Sequence, residues 1–250
     1  IILGNCLVGL KQLPDESIDM ILSDPPFRIS QQIKIGRSSN TKYKANKDID
    51  LYFGSWDDQW ESDEEYIEWC KVWLRECVRV LKPYRHLLFF FDKKKVTPVW
   101  DFLESIGMKG RSPLFWLKVN PVPRGRKVDF MKSLEECLWF TKTAVKQKYF
   151  NWQLGQHLDY VKAPIPGHTS KEDGPIRLHP TQKPVKVAKV WISYLSNPGD
   201  IVLDPFTGSG SFCLAAAILG RKYIGFEINK EYAEAAEKRL ANRQLQFVGI

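Results

Sequence analysis

The sequence predicts a doubly wound α/β sheet, and three observations carry that expectation. Short apolar runs alternate with segments of helical periodicity along the chain. A glycine-containing turn, Asp204-Pro205-Phe206-Thr207-Gly208-Ser209-Gly210-Ser211, joins one such run to an alanine-rich helix. The next apolar run closes on an acid, Glu227.

The elements follow in order. Ile1–Leu3 reads as a strand entering Gly4-Asn5-Cys6, and Leu7–Leu13 as a helical fragment stopped by Pro14-Asp15. Ile18–Leu22 is an apolar strand that must end at Asp24-Pro25-Pro26-Phe27, because two adjacent prolines lack the N–H groups a ladder needs. Residues 28–60 have no periodicity and read as a mobile functional loop. Ser62 and Glu65 form a capping box for a helix in which Ile67, Cys70, Leu74, Cys77 and Leu81 recur at steps of three and four, with Pro83 as its terminator. His86–Phe91 is a fully buried strand, and Pro98–Ser105 a helix stopped by Gly107. Leu114–Val119 and Glu136–Thr141 are strands flanking a loop with Pro121, Pro123, Arg124, Arg126 and Lys127.

Residues 142–178 are again irregular. Regularity returns at His179–Pro184 with a helix through about Tyr194, then Asn197-Pro198-Gly199 turns the chain into the strand Ile201–Leu203. The alanine-rich helix runs to Leu219, with Gly220 as its left-handed C′ residue. Tyr223–Glu227 is a strand and Glu231–Leu245 a last amphipathic helix. The expectation is one domain over 1–250, with 28–60 and 142–178 as its irregular inserts.

Composition narrows the class. A length of 250 residues allows one sizeable core. The net charge of +8 leans toward a polyanionic partner. Five cysteines without a C-x-x-C pair read as packed, reduced thiols, and four scattered histidines offer no metal constellation. No apolar run has membrane-spanning length and no secretory signal is present, so a soluble, cytoplasmic protein is expected.

Two constellations carry chemistry. In the first, Gly208 and Gly210 let the backbone approach a ligand, and the helix that follows opens with N–H groups suited to an anion. Glu227, 19 residues after Gly208, can accept hydrogen bonds from ribose hydroxyls. Cys213 occupies the place of the third glycine in a dinucleotide fingerprint, and either NAD or S-adenosylmethionine suits the loop at this stage. The second is Asp24-Pro25-Pro26-Phe27, where prolines hold an acid and a backbone carbonyl at fixed spacing. An amine can donate to both Asp24 and the Pro25 carbonyl, and a flat base can stack on Phe27.

Together these stretches resemble the permuted, beta-class amino-methyltransferases of DNA, in which the D-P-P-[YF] segment precedes the cofactor loop. The resemblance rests on Gly4-Asn5-Cys6, Leu10, Leu13-Pro14, Ile18-Asp19 and Asp24–Phe27, then on His179-Pro180-Thr181-Gln182-Lys183-Pro184, Asn197–Asp200, Asp204–Ser211, Gly220-Arg221, Ile224-Gly225 and Glu227. It covers about the first 27 and the last 75 residues. It implies a Rossmann-like methyltransferase sheet, mostly parallel with one antiparallel strand and permuted motif order. It further implies S-adenosylmethionine held by Asp204, Phe206, Gly208, Ser209, Gly210 and Glu227. Thr181 and Lys183 would lie near the methionine part, and Asn5 and Cys6 near the adenine ring. Asn5 stands where the family often has Asp, Ser211 where Thr is more usual, and Phe27 where Tyr is.

The reaction implied is direct in-line transfer to N6 of adenine in double-stranded DNA, with the target base flipped out. No Pro-Cys dipeptide, the nucleophile signature of cytosine-C5 enzymes, is present. Lys93, Lys94, Lys95, Lys118, Arg124, Arg126, Lys127 and Lys132 are candidate phosphate contacts. Residues 28–60 are the candidate loop over DNA, 142–178 the candidate target-recognition segment, and a homodimer is a further expectation. The alternatives are N4-cytosine methylation, whose enzymes more often carry Ser at the Asp24 position, RNA methylation, an idle DNA-binding module, and a nicotinamide oxidoreductase.

Overall fold

The computed structural model describes residues 1–28, 34–35, 49–50, 57–122, 128, 130–143, 149–167, 173 and 178–248. The described elements, in chain order, are β1 (Ile2–Leu3), α1 (Cys6–Gln12), β2 (Ile18–Ser23), β3 (Lys34–Ile35), β4 (Ile49–Asp50), α2 (Asp63–Val80), β5 (Leu81–Phe90), α3 (Val96–Ser105), β6 (Met108–Gly110), β7 (Leu114–Lys118), β8 (Leu134–Lys142), β9 (Tyr160–Ala163), α4 (Val185–Leu195), β10 (Ile201–Asp204), α5 (Ser211–Ile218), β11 (Lys222–Glu227) and α6 (Lys230–Val248).

The main sheet has the order β1-β11-β10-β2-β5-β8-β7-β9, with β6 also on β8, while β3 and β4 pair separately. β8 alone runs against its neighbours β5, β6 and β7, and every other pairing in this sheet is parallel. The Rossmann-like sheet with one antiparallel strand is therefore the observed fold.

Alternation along β5 divides the core in two. Leu87, Phe89 and Phe91 face a cluster built with α1, α2 and α3, including Leu10, Trp73 and Leu103. Leu88 and Phe90 face the other side, with Trp191 of α4, Phe212 of α5 and Leu240 of α6. Each side chain of this size stabilises the fold by about 1.5–3 kcal/mol when withdrawn from water.

Local chemistry sets the boundaries. Ser62 Oγ accepts from Glu65 N at 3.1 Å, and Glu65 reaches back to Glu61 N at 2.7 Å, one residue before the expected partner of a capping box. α2 ends at Val80, before Pro83, and the chain enters β5 directly. Pro83 is absorbed at a register shift: Ile18 pairs with Leu81 but Met20 with His86, and Tyr84 takes a φ of +64°. α3 starts at Val96, because Pro98 falls in the first turn, where its missing N–H costs nothing. Gly220 has a φ of +71° after α5, the expected left-handed C′ residue.

β6 and β9 were not foreseen. β6 is three residues on the edge of β8, and β9 turns part of 142–178 into an edge strand beside β7. Among the described residues no helix is long and apolar enough to cross a membrane.

Candidate active site

β10 is followed by α5 and returns as β11 on one side, whereas β2 is followed by α2 and returns as β5 on the other. Adjacent strands whose connections leave in opposite directions open a crevice at their carboxyl ends. Asp24 follows β2 and Asp204 ends β10, so the two sequence constellations meet there. The cleft is lined by both acids together with Asn5, Cys6, Pro26, Thr181, Lys183, Phe206, Gly208, Ser209 and Glu227.

The segment after Asp24 is held by its backbone. Tyr66 OH donates to the Pro26 carbonyl at 2.7 Å, and Lys95 Nζ donates to the Phe27 carbonyl at 2.8 Å. Phe27 N and Arg28 N both donate to Asp57 Oδ1 at 2.8 Å, which supports the left-handed Arg28 at a φ of +52°. α2 supplies Tyr66 and the 3-10 turn at Lys93–Lys95 supplies the lysine, so the packing of two separate elements fixes where Asp24 points.

Asp24 Oδ2 accepts from Lys183 Nζ at 2.6 Å, while its Oδ1 is buried without a hydrogen-bond partner. Burial pushes the Asp24 carboxyl up to about 6, against the pull of Lys183. Burial opposes the charge on Lys183, but Asp24 and then Glu135 outweigh it and raise the ammonium above its ordinary value. Lys183 therefore stays charged beside Asp24, with Nζ 5.4 Å from the centroid of the Phe27 ring. Neither Phe27 nor Pro25 lines the cleft, and Phe27 packs against the α4–α5 core.

The other wall is the glycine turn. Asp204 Oδ1 accepts from Ser23 Oγ at 2.7 Å and from Phe206 N at 3.1 Å. Burial pushes the Asp204 carboxyl up to about 7. Glu227 Oε2 accepts from Gly208 N and Oε1 from Asn229 N, both at 2.8 Å, which leaves each oxygen able to accept once more. Gly208 has a φ of +50°, and the nearest neighbour to where a Cβ would stand is the His179 ring at 3.6 Å. Gly210, at a φ of +76°, opens α5 behind the lining rather than in it. Asn5 caps α1 by accepting from Leu7 N at 2.8 Å, and burial pushes the Cys6 thiol up to about 12, so it stays neutral.

These residues fit S-adenosylmethionine. The left-handed Gly208 leaves room for a ligand, Glu227 has acceptors for ribose hydroxyls, and an unpaired carboxylate oxygen of Asp24 stands beside them.

The remaining predicted residues divide. Lys93 and Lys94 are exposed. Lys95, a candidate phosphate contact, is instead buried on the Phe27 carbonyl and on Asp92 at 3.2 Å, because the 3-10 turn rotates it inward. Lys118 is likewise withdrawn from the surface by Glu135, 2.5 Å away. Arg124, Arg126 and Lys127 lie outside the described residues, as does most of 28–60.

Sequence reasoning missed several groups. Trp69 of α2 reaches the cleft and packs its ring 5.6 Å from that of Phe206. Tyr232 of α6 also lines the cleft, its ring 4.5 Å from His179. The steps of three, four and three through Ile67, Cys70, Leu74 and Cys77 already put Trp69 off that stripe of α2. No such signal marked Glu135.

Comparisons with known proteins agree with this geometry. The family model described as DNA methylase, of N6/N4 type, matches residues 18–238. The type II methyltransferase M.HinfI of Haemophilus influenzae is 30% identical over 252 residues, spanning 96% of this chain and 67% of that protein. The type II methyltransferase M.HpaI of Haemophilus parainfluenzae is 32% identical over 265 residues, spanning 96% of this chain and 73% of its own. The crystal structure of the M1.HpyAVI–SAM complex superimposes with a TM-score of 0.70 at 26% identity, covering 95% of this chain and 97% of the other. The chain belongs to the N6/N4 DNA methylase family and is an S-adenosylmethionine-dependent DNA methyltransferase.

Proposed function

We propose that the enzyme methylates N6 of adenine at a specific site in double-stranded DNA. The observation that carries this reading is the Asp24 carboxylate, with Oδ2 occupied by Lys183 and Oδ1 buried and unpaired. An N6 amine entering the cleft donates one N–H to Oδ1, whereas the Pro25 carbonyl, the acceptor expected for the other, is not in the cleft wall. The bond to Oδ1 favours a tetrahedral nitrogen and localises a lone pair that the purine ring otherwise withdraws. Bound S-adenosylmethionine supplies an activated methyl group on sulfur, so the protein's task is alignment.

The roles divide accordingly. Glu227 and the Gly208 turn hold the cofactor, Asp24 orients the amine, and Lys183 spans the two. Transfer is direct, with no covalent enzyme intermediate, since the described cysteines are buried and burial raises their thiols. The adenine must leave the duplex to reach the crevice. Lys93 and Lys94, exposed beyond β5 on the Asp24 edge of the sheet, together with Arg124, Arg126 and Lys127, are assigned to phosphates. Segments 28–60 and 142–178 are assigned to closing over DNA and to reading the target. The enzyme would act in the cytoplasm, as a monomer or homodimer.

The test is transfer of labelled methyl to unmethylated DNA, followed by nucleoside analysis, with Asp24→Ala alongside. N6-methyladenine that vanishes in the variant is the expected result. N4-methylcytosine would overturn the base assignment, and the acid at position 24, where Ser is more usual for cytosine, argues against it.

A further inference from the structure

Behind Asp24 the sheet carries a second pair of charges. Glu135 of β8 is registered against Trp116 of β7, and Lys118 is two residues further along the same face of β7. Lys118 Nζ lies 2.5 Å from Glu135 Oε1, and its charge is 5.1 Å from the Trp116 ring. Glu135 Oε2 lies 3.3 Å from Lys183 Nζ, which in turn lies 2.6 Å from Asp24 Oδ2. The four groups alternate in sign from Lys118 through Glu135 and Lys183 to Asp24; Lys183 is buried, the side chains of Lys118 and Asp24 are 14% exposed, and that of Glu135 is 28% exposed.

One buried ammonium cannot serve two carboxylates in full. Whatever Lys183 gives to Glu135 is withheld from Asp24, and Lys118 limits how strongly Glu135 draws on it. We propose that Glu135 is a positioning residue for methyl transfer: it shares Lys183 with Asp24 and thereby keeps Asp24 Oδ1 a strong acceptor for the amine. Lys118 sets the balance. This rests on the role given to Asp24 above.

Among the described residues, the charged groups facing Asp24 are Lys183 ahead of α4, Glu135 on β8, Asp57 beside the Phe27 backbone and Asp204 at the end of β10, and the Cys137 thiol of β8 also faces it, held neutral by burial. Lys183 is the one cation of the four. After burial, it is the charges of Glu135 and Asp57 that hold the Asp24 carboxyl above its ordinary value against that cation. Burial works against the charge of Glu135 itself, yet Lys183 and Lys118 keep it below the usual range.

The experiment is the pH profile of kcat for the wild type, Glu135→Gln, Lys118→Met and the double variant, each shown to be folded by cofactor binding. Glu135→Gln releases Lys183 to Asp24, so the acidic limb should move down by about one pH unit and the plateau should fall. Lys118→Met frees Glu135 to draw on Lys183, so the limb should move up. The double variant keeps the site neutral, and should still show the downward shift if Glu135→Gln alone fails to fold. Limbs that stay in place, or move in the same direction in both single variants, would overturn the proposal. Full activity of Asp24→Ala would remove the reading beneath it, a separate outcome.

Discussion

Ser23 Oγ donates to Asp204 Oδ1 over 2.7 Å, between residues 181 positions apart in the chain. That bond joins the last residue of β2 to the last residue of β10, across the crevice between them. The same oxygen accepts from Phe206 N, so one buried atom ties the strand that leads into Asp24 to the start of the glycine turn.

Ser23→Ala should lower stability by about 1–2 kcal/mol, since Asp204 keeps its burial and loses a donor. Urea unfolding measures the loss. Cofactor affinity should fall with it, because the turn after Asp204 is no longer anchored to β2.

The two acids also predict a pH dependence of stability. Burial raises Asp24 to about 6 and Asp204 to about 7, both from an ordinary value of 3.8. Between those values the folded chain holds protons that the unfolded chain has released. Their contribution is therefore complete below about pH 4 and is lost as pH rises through 6 and 7. Unfolding free energies of the cofactor-free protein between pH 4 and 8 should show this fall, and Asp204→Asn should flatten it. An equal slope in the variant would refute the assignment.

Gly210→Ala tests the turn. Its φ of +76° disfavours a side chain by about 1–2 kcal/mol, and an added Cβ would stand 2.9 Å from Ala236 Cβ. A drop of about 2 kcal/mol or more is expected, with weaker cofactor binding as α5 and α6 move apart. Calorimetric titration with S-adenosylmethionine reads the second effect.

Tyr66→Phe separates alignment from cofactor binding. The hydroxyl holds the Pro26 carbonyl at 2.7 Å, while the ring packs on Trp60 and Phe91 and keeps doing so in the variant. Stability should fall by about 1 kcal/mol. kcat should fall with an unchanged dissociation constant for the cofactor, and a loss confined to cofactor binding would contradict the role given to Tyr66.

Legibility in the sequence followed the range of the interactions. α2 carries its own cap, periodicity and stop, and the glycine turn carries its own backbone requirement, so both could be read locally. β6 and β9 could not, because three or four residues hold no period and pair only where β8 and β7 leave an edge. Lys95 sits in a run of three lysines that locally reads as solvent-facing, and the turn at Asp92 buries the third. Lys183 was read as a neighbour of the cofactor, but its partnership with an acid 159 residues away has no local signature.

The sequence by itself determined the order of the helices and longer strands, the glycine turn, the acid that ends β11 and the rigid segment after β2. Each of these depends on backbone restrictions and periodicities that act over a few residues. Only the tertiary structure decided which charges face each other, and hence that one oxygen of Asp24 is committed to Lys183 while the other stays open. The physical reason is that a charge takes its meaning from burial and from its nearest partners, and both are set by how β2, β8, β10 and the segment before α4 come together.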